Sequence, residues 1–186
     1  MIVAADAASK YKDSDDWGLD KKSFEIFQHL SPKEFTIDLF ACCSNKQVPR
    51  FYSKVMSPGS LGVNAFMYSW AGDYVYACPP VKLTIDVIRH IETHECQGVL
   101  IVPCWRSHIF WTILTEDGVH MKPQFTHFRR FQPTIRSGPW CDKGFFVRNK
   151  RPEMLSCYFD TSRVEISKLS YRAQCLNDGC AKCLIG

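Results

Sequence analysis

The chain has 186 residues, 46% of them hydrophobic and 23% charged, with a formal net charge of +4. That is enough for one well-cored domain, with or without tails, and so mild a cationic excess does not by itself argue for nucleic acid, which needs clustered charge. No run of about 18 apolar residues argues for a membrane span, and the N-terminus lacks the basic-then-apolar pattern of a leader. The ten cysteines are scattered and several lie inside apolar runs. They read as reduced, mostly buried thiols of an intracellular protein rather than a secreted disulfide framework.

Residues 1–8 are short and apolar apart from Asp6, and a polar loop follows to Trp17-Gly18. Ser23 is the expected N-cap of a short amphipathic helix with Phe24, Phe27 and Leu30 on one side, stopped by Ser31-Pro32. Phe35 to Ala41 reads as a buried strand interrupted by one acid, Asp38, and a Pro- and Gly-bearing loop follows. Gly62–Phe66 and Tyr74–Cys78 read as short strands. Ile85, Ile88 and Ile91 stripe a helix over Thr84–His94. After Gly98, the run Val99 to Val102 suits a central parallel strand covered on both faces. Ser107 to Leu114 fits a helix or a strand equally. Beyond Gly118, short β-prone pieces such as Gly144–Val147 and Arg163–Ile166 alternate with turns, and the Cys-rich end reads as a frayed tail.

Several of these residues carry a resemblance. Ala5-Asp6-Ala7-Ala8-Ser9-Lys10 with Asp15-Asp16-Trp17 resembles the end of an RNase H domain and its linker. Asp38-Leu39-Phe40-Ala41, Asn45 and Arg50-Phe51 resemble a first methyltransferase motif. Pro79-Pro80 resembles a catalytic turn, and Leu100–Pro103 with Trp105 and Phe110-Trp111 the strand and helix after it. Over nearly its whole length the chain is similar to the segment that follows reverse transcriptase and RNase H in polyproteins of tyrosine-recombinase (DIRS-like) retrotransposons. That segment is itself similar to phage-type, Dam-like adenine-N6 DNA methyltransferases.

The resemblance implies a three-layer α/β fold with a mainly parallel, Rossmann-like sheet and a smaller β-rich C-terminal region. Its expected divisions are 1–22 (end of the RNase H-like region and linker), 23–117 (Dam-like core), 118–172 (β-rich extension) and 173–186 (Cys-rich tail). Asp38, Phe40 and Ala41 would face a cofactor, S-adenosylmethionine, in an active enzyme. Cys42-Cys43-Ser44 stands where such enzymes place small residues for close approach to it. Asp6 would be the final metal-binding acid of an RNase H, but one carboxylate does not assemble a two-metal site.

The chemistry of the turn can be derived. Transfer of a methyl group to an exocyclic amine needs an acceptor oxygen to orient the amine, prolines to stiffen the turn and an aromatic ring to stack on the flipped base. Here the turn reads Cys78-Pro79-Pro80-Val81. A thiol is a poor acceptor and Val has no π face. The turn keeps its shape-giving prolines and lacks the groups that do chemistry, so no cofactor is expected to be used. Asp38 has two readings: a nucleoside-facing acid at a strand end, or an acid that caps a neighbouring loop through backbone N–H groups.

Three further constellations stand out. Cys175, Cys180 and Cys183 have part of a zinc-ligand spacing, with the fourth ligand unassigned. Arg129, Arg130 and Arg136, set among phenylalanines, fit a nucleic-acid-binding surface or a half-buried strand with arginines reaching outward. His90 and His94 lie at i and i+4 on one helix without a third metal ligand nearby in sequence. The sequence thus points to a catalytically degenerate Dam-like domain of a retroelement polyprotein, with nucleic acid and other polyprotein domains as partners. The alternatives are an active adenine-N6 methyltransferase and a host-adopted protein-interaction module.

Overall fold

The computed structural model describes residues 17–137, Phe146 and residues 151–161. Asp6, the Arg163–Ile166 piece and the Cys175, Cys180 and Cys183 array lie outside the described residues. So does the Gly144–Val147 piece, apart from Phe146.

In chain order the elements are β1 (Trp17–Leu19), α1 (Lys21–Leu30), β2 (Ile37–Asp38), β3 (Tyr74–Ala77), α2 (Thr84–Thr93) and β4 (Gln97–Pro103). Then come α3 (Ile109–Leu114), β5 (Phe125–Phe131), β6 (Ile135–Ser137) and β7 (Met154–Asp160). Five strands form one sheet in the order β2-β3-β4-β7-β5, and β1 pairs with β6 in a separate two-stranded ribbon.

The expected three-layer, mainly parallel fold does not form. β2, β3 and β4 are parallel, but β7 runs antiparallel to both β4 and β5, so the sheet is mixed. The C-terminal β-rich region is not a separate appendage: β5 and β7 complete the main sheet. The crossover from β2 to β3 carries no α-helix, only the single 3-10 turn Ala65–Met67. The two faces are also covered unequally, by α2 and α3 on one side and by α1 with the ribbon on the other. The apolar run of β4 reported burial on both faces correctly. It carried no information about neighbour direction, because a buried antiparallel partner asks for the same residues.

Alternation along the strands separates two cores. Val75, Ala77, Leu100 and Val102 face α2 and α3, whereas Tyr74, Tyr76, Val99 and Ile101 face Phe24 and Phe27 of α1. α1 begins earlier than its stripe predicted. Asp20 is the N-cap, accepting from the Ser23 backbone N–H at 2.7 Å, and the Ser23 hydroxyl instead accepts from the Thr134 N–H at 3.0 Å. In α2 the buried stripe is Val87, Ile88 and Ile91, with Ile85 only partly covered. Ser107–Leu114 resolves as a helix, α3, whose buried side is Phe110, Trp111 and Leu114. No helix among the described residues is long and apolar enough to cross a membrane.

Candidate functional site

The parallel strands deliver their carboxyl ends to one edge, and the residues singled out in the sequence meet there in part. β2 ends on Asp38, which is 3% exposed. Its Oδ1 accepts from the Phe40 N–H at 3.2 Å and its Oδ2 from the Gln47 N–H at 3.1 Å. The carboxylate therefore closes the loop that leaves β2. The same loop is tied by an Asn45 side chain accepting from the Cys42 N–H at 2.6 Å, and by Arg136, which donates to the Ser44 and Asn45 carbonyls. Gln47 fastens it to the ribbon by donating from Nε2 to the Leu19 carbonyl at 2.7 Å.

Burial pushes the Asp38 carboxyl up to about 6, against the two backbone N–H groups and Arg136, which pull it down. The native state therefore binds a proton more tightly than the unfolded chain between pH 3.8 and about 6. Stability must fall as pH rises through that window, by an amount on the order of 2–3 kcal/mol for this group. Urea midpoints measured from pH 4 to 7 should show this decline, and Asp38→Asn should flatten it. An unchanged slope in the variant would assign the pH dependence elsewhere.

Phe40 and Ala41, the other two residues expected at a cofactor, are occupied by packing. The Phe40 ring lies 5.8 Å from that of Phe66, and the buried Ala41 donates its N–H to the Tyr52 carbonyl at 3.1 Å. Phe66 continues through Trp70 to His90 and His94, whose rings stack at 3.9 Å. Burial, with His94 beside it, holds His90 down at about 4, so it is neutral at pH 7. Among the described residues no group of three or more His, Cys, Asp or Glu is placed to hold a metal.

At the end of β3, Cys78 is 5% exposed and Pro79 is buried. Next to them the Tyr76 hydroxyl is buried without a nitrogen or oxygen partner. Burial raises its pKa well above the usual range, and the neighbouring Cys78 and Asp38 raise it further. Val81 packs against both cores, and so does the half-buried Trp105 after β4. Trp105 lies parallel to Phe146 at 6.0 Å, and Phe146 stacks on Trp17 at 4.6 Å. The carboxyl ends of β3 and β4 are thus packed with aliphatic and aromatic side chains.

The three arginines are not brought together. Arg129 is exposed on the face shared with Ser156 and Met154. Arg130, its neighbour on β5, points to the opposite face and lies 3.7 Å from Glu153. Arg136 belongs to the loop-closing cluster around Asp38. Sequence reasoning missed that last role, and Tyr76 and Gln47 with it, because nothing local links β6 to the end of β2.

No protein-family model matches this chain, and no curated protein sequence matches it at a significant level.

Proposed function

We propose that this chain is a methyltransferase-like segment of a tyrosine-recombinase retroelement polyprotein that no longer catalyses methyl transfer and serves as a binding domain. The observation that carries the reading is the state of the Cys78–Val81 turn. The side chain in the acceptor position is a buried thiol, and the one in the stacking position is an aliphatic group wedged between the two cores. Neither can orient or stack an adenine. Asp38 supports the same reading, since both carboxylate oxygens already hold backbone N–H groups of its own loop. Residual contact with nucleic acid falls in this reading to β5, an edge strand of the sheet that carries the exposed Arg129.

One titration series tests it. Calorimetry with S-adenosylmethionine should give no heat at millimolar cofactor, and an adenine-containing DNA duplex should gain no methyl group. The same duplex should bind in a salt-dependent way that weakens in Arg129→Ala. Saturable cofactor binding with methyl transfer would replace this reading with the active enzyme.

A further inference from the structure

We infer that Ser57 is a phosphorylation site for a proline-directed serine kinase, and that its phosphate clasps the crossover to the loop closed by Asp38. The chain holds two Ser-Pro dipeptides, Ser31-Pro32 and Ser57-Pro58. The fold presents them in opposite ways. Ser31 caps the end of α1 through its N–H, and its hydroxyl oxygen is buried. Ser57 opens a turn in the crossover between β2 and β3, half-buried itself between the exposed Met56 and Pro58.

The residues of that turn dictate its shape. The Ser60 N–H donates to the Ser57 carbonyl at 3.0 Å, with Pro58 and Gly59 at the two corners. Proline fixes the first corner, and Gly59 supplies the left-handed φ of 76° that the second corner of a type II turn requires. Steric contact with the proline ring keeps the residue before it extended. Pro58 and Gly59 are both exposed. An enzyme that reads the proline after its serine meets both at an exposed corner, where modifying enzymes gain access most easily.

The hydroxyl already stands where a phosphate would be held. Its Oγ accepts from the Cys43 N–H at 2.9 Å. A phosphate oxygen takes the same donor, and the hydrogen bond becomes charge-assisted when it does. The donor comes from an ordered loop, in which the Cys42 N–H is held by Asn45 Oδ1 and the Cys42 carbonyl accepts from the Asn45 and Lys46 N–H groups. Charge agrees with this placement. From Leu39 to Gly72 the charged residues are Lys46, Arg50 and Lys54, so no carboxylate of this stretch opposes a phosphate. Lys46 lies over the Phe51 ring at 5.0 Å, and a Cβ on Gly59 would touch the same ring at 3.9 Å. This cation and the turn therefore share one side chain as neighbour.

The transfer itself needs ATP and the kinase. Ser57 Oγ attacks the γ-phosphorus of ATP, and the bond from that phosphorus to the bridging oxygen breaks. ADP leaves with the electron pair, and the hydroxyl proton passes to the catalytic base of the kinase.

The test is incubation of the full chain with a purified proline-directed serine kinase and ATP, read by mass spectrometry of the intact protein and its peptides. One phosphate is expected, on Ser57 and not on Ser31. Ser57→Ala should abolish it. Pro58→Ala leaves the hydroxyl in place and should slow incorporation about tenfold or more, with unchanged circular dichroism. In the phosphoprotein the Cys43 amide should exchange with solvent about tenfold more slowly, the effect of one charge-assisted bond. The inference is overturned if Ser57 takes no phosphate, if Ser31 takes it instead, or if Pro58→Ala is modified as fast as wild type. It is equally overturned if exchange at Cys43 does not change. The site involves neither the Cys78 turn nor Arg129, so these outcomes and the cofactor and DNA titrations are judged separately.

Discussion

Cys78→Asp, a change that would place an oxygen acceptor on the Pro79-Pro80 turn, is expected to destabilise the protein by about 3–5 kcal/mol and to confer no methyl transfer. The site is 5% exposed, so a carboxylate placed there loses nearly all its hydration. Its surroundings already hold one buried acid, Asp38, and the buried Tyr76 phenol, which is hydrogen-bonded with the Cys78 side chain itself, with Arg136 as the counter-charge acting on both. A second carboxylate adds a charge that this guanidinium, itself donating to Ser44 and Asn45, cannot satisfy. Cys78→Ser separates the two contributions, since it changes polarity at nearly constant volume and should cost only about 1–2 kcal/mol. Urea unfolding of the two variants, with methyl transfer assayed on each, is the measurement. A Cys78→Asp protein as stable as wild type would show that the turn is open to water, and the packed-edge reading would fail.

Gly98→Ala should cost about 3 kcal/mol or more, for a reason rooted in the sheet. Gly98 sits in β4 directly opposite Val75 of β3. A Cβ there would lie 2.2 Å from the Val75 carbonyl oxygen and 2.7 Å from its nitrogen. Those are backbone atoms of a central strand and have no rotamer through which to yield, so the β3–β4 pairing itself must part. Chemical denaturation should register the loss. The amides of Tyr76 and Val99, which lie one register position further along, should lose hydrogen-exchange protection with it. An alanine variant within about 1 kcal/mol of wild type would mean that the two strands can separate there without loss.

The sequence made legible those features that depend on near neighbours. The two helices α1 and α2 and the apolar run of β4 follow from periodicity, each within a few residues of its expected span, although Leu30 of the expected α1 stripe is exposed and Val87 rather than Ile85 completes the α2 stripe. What depends on distant partners was not legible. Val99 to Val102 declares burial but not that the next strand runs backwards, and so the parallel fold was the wrong extrapolation. Ser23 looked like a helix cap until Asp20, with a stronger acceptor one turn earlier, took that position. At the site, that the Cys78–Val81 turn offers neither an oxygen acceptor nor an aromatic ring could be read directly from residue chemistry. Arg136 could not, because its place beside the Asp38 loop is set by the pairing of β6 with β1. Likewise nothing local in the sequence shows that Phe40 packs against Phe66 across the β2–β3 crossover.

The position of β7 has a consequence for vectorial synthesis. Among the described residues β7 is the last strand of the sheet to be made, yet it lies between β4 and β5 and bonds to both. Until Met154–Asp160 leaves the ribosome, the two strands that flank it have no partner on their facing sides. Both then present unpaired N–H and C=O groups beside apolar side chains, the condition under which nascent chains associate wrongly. At roughly 5–20 residues added per second, the stretch between β5 and β7 prolongs that exposure by seconds. β7 therefore joins the sheet by insertion rather than by addition at an edge, and the nascent chain must keep a slot open for it.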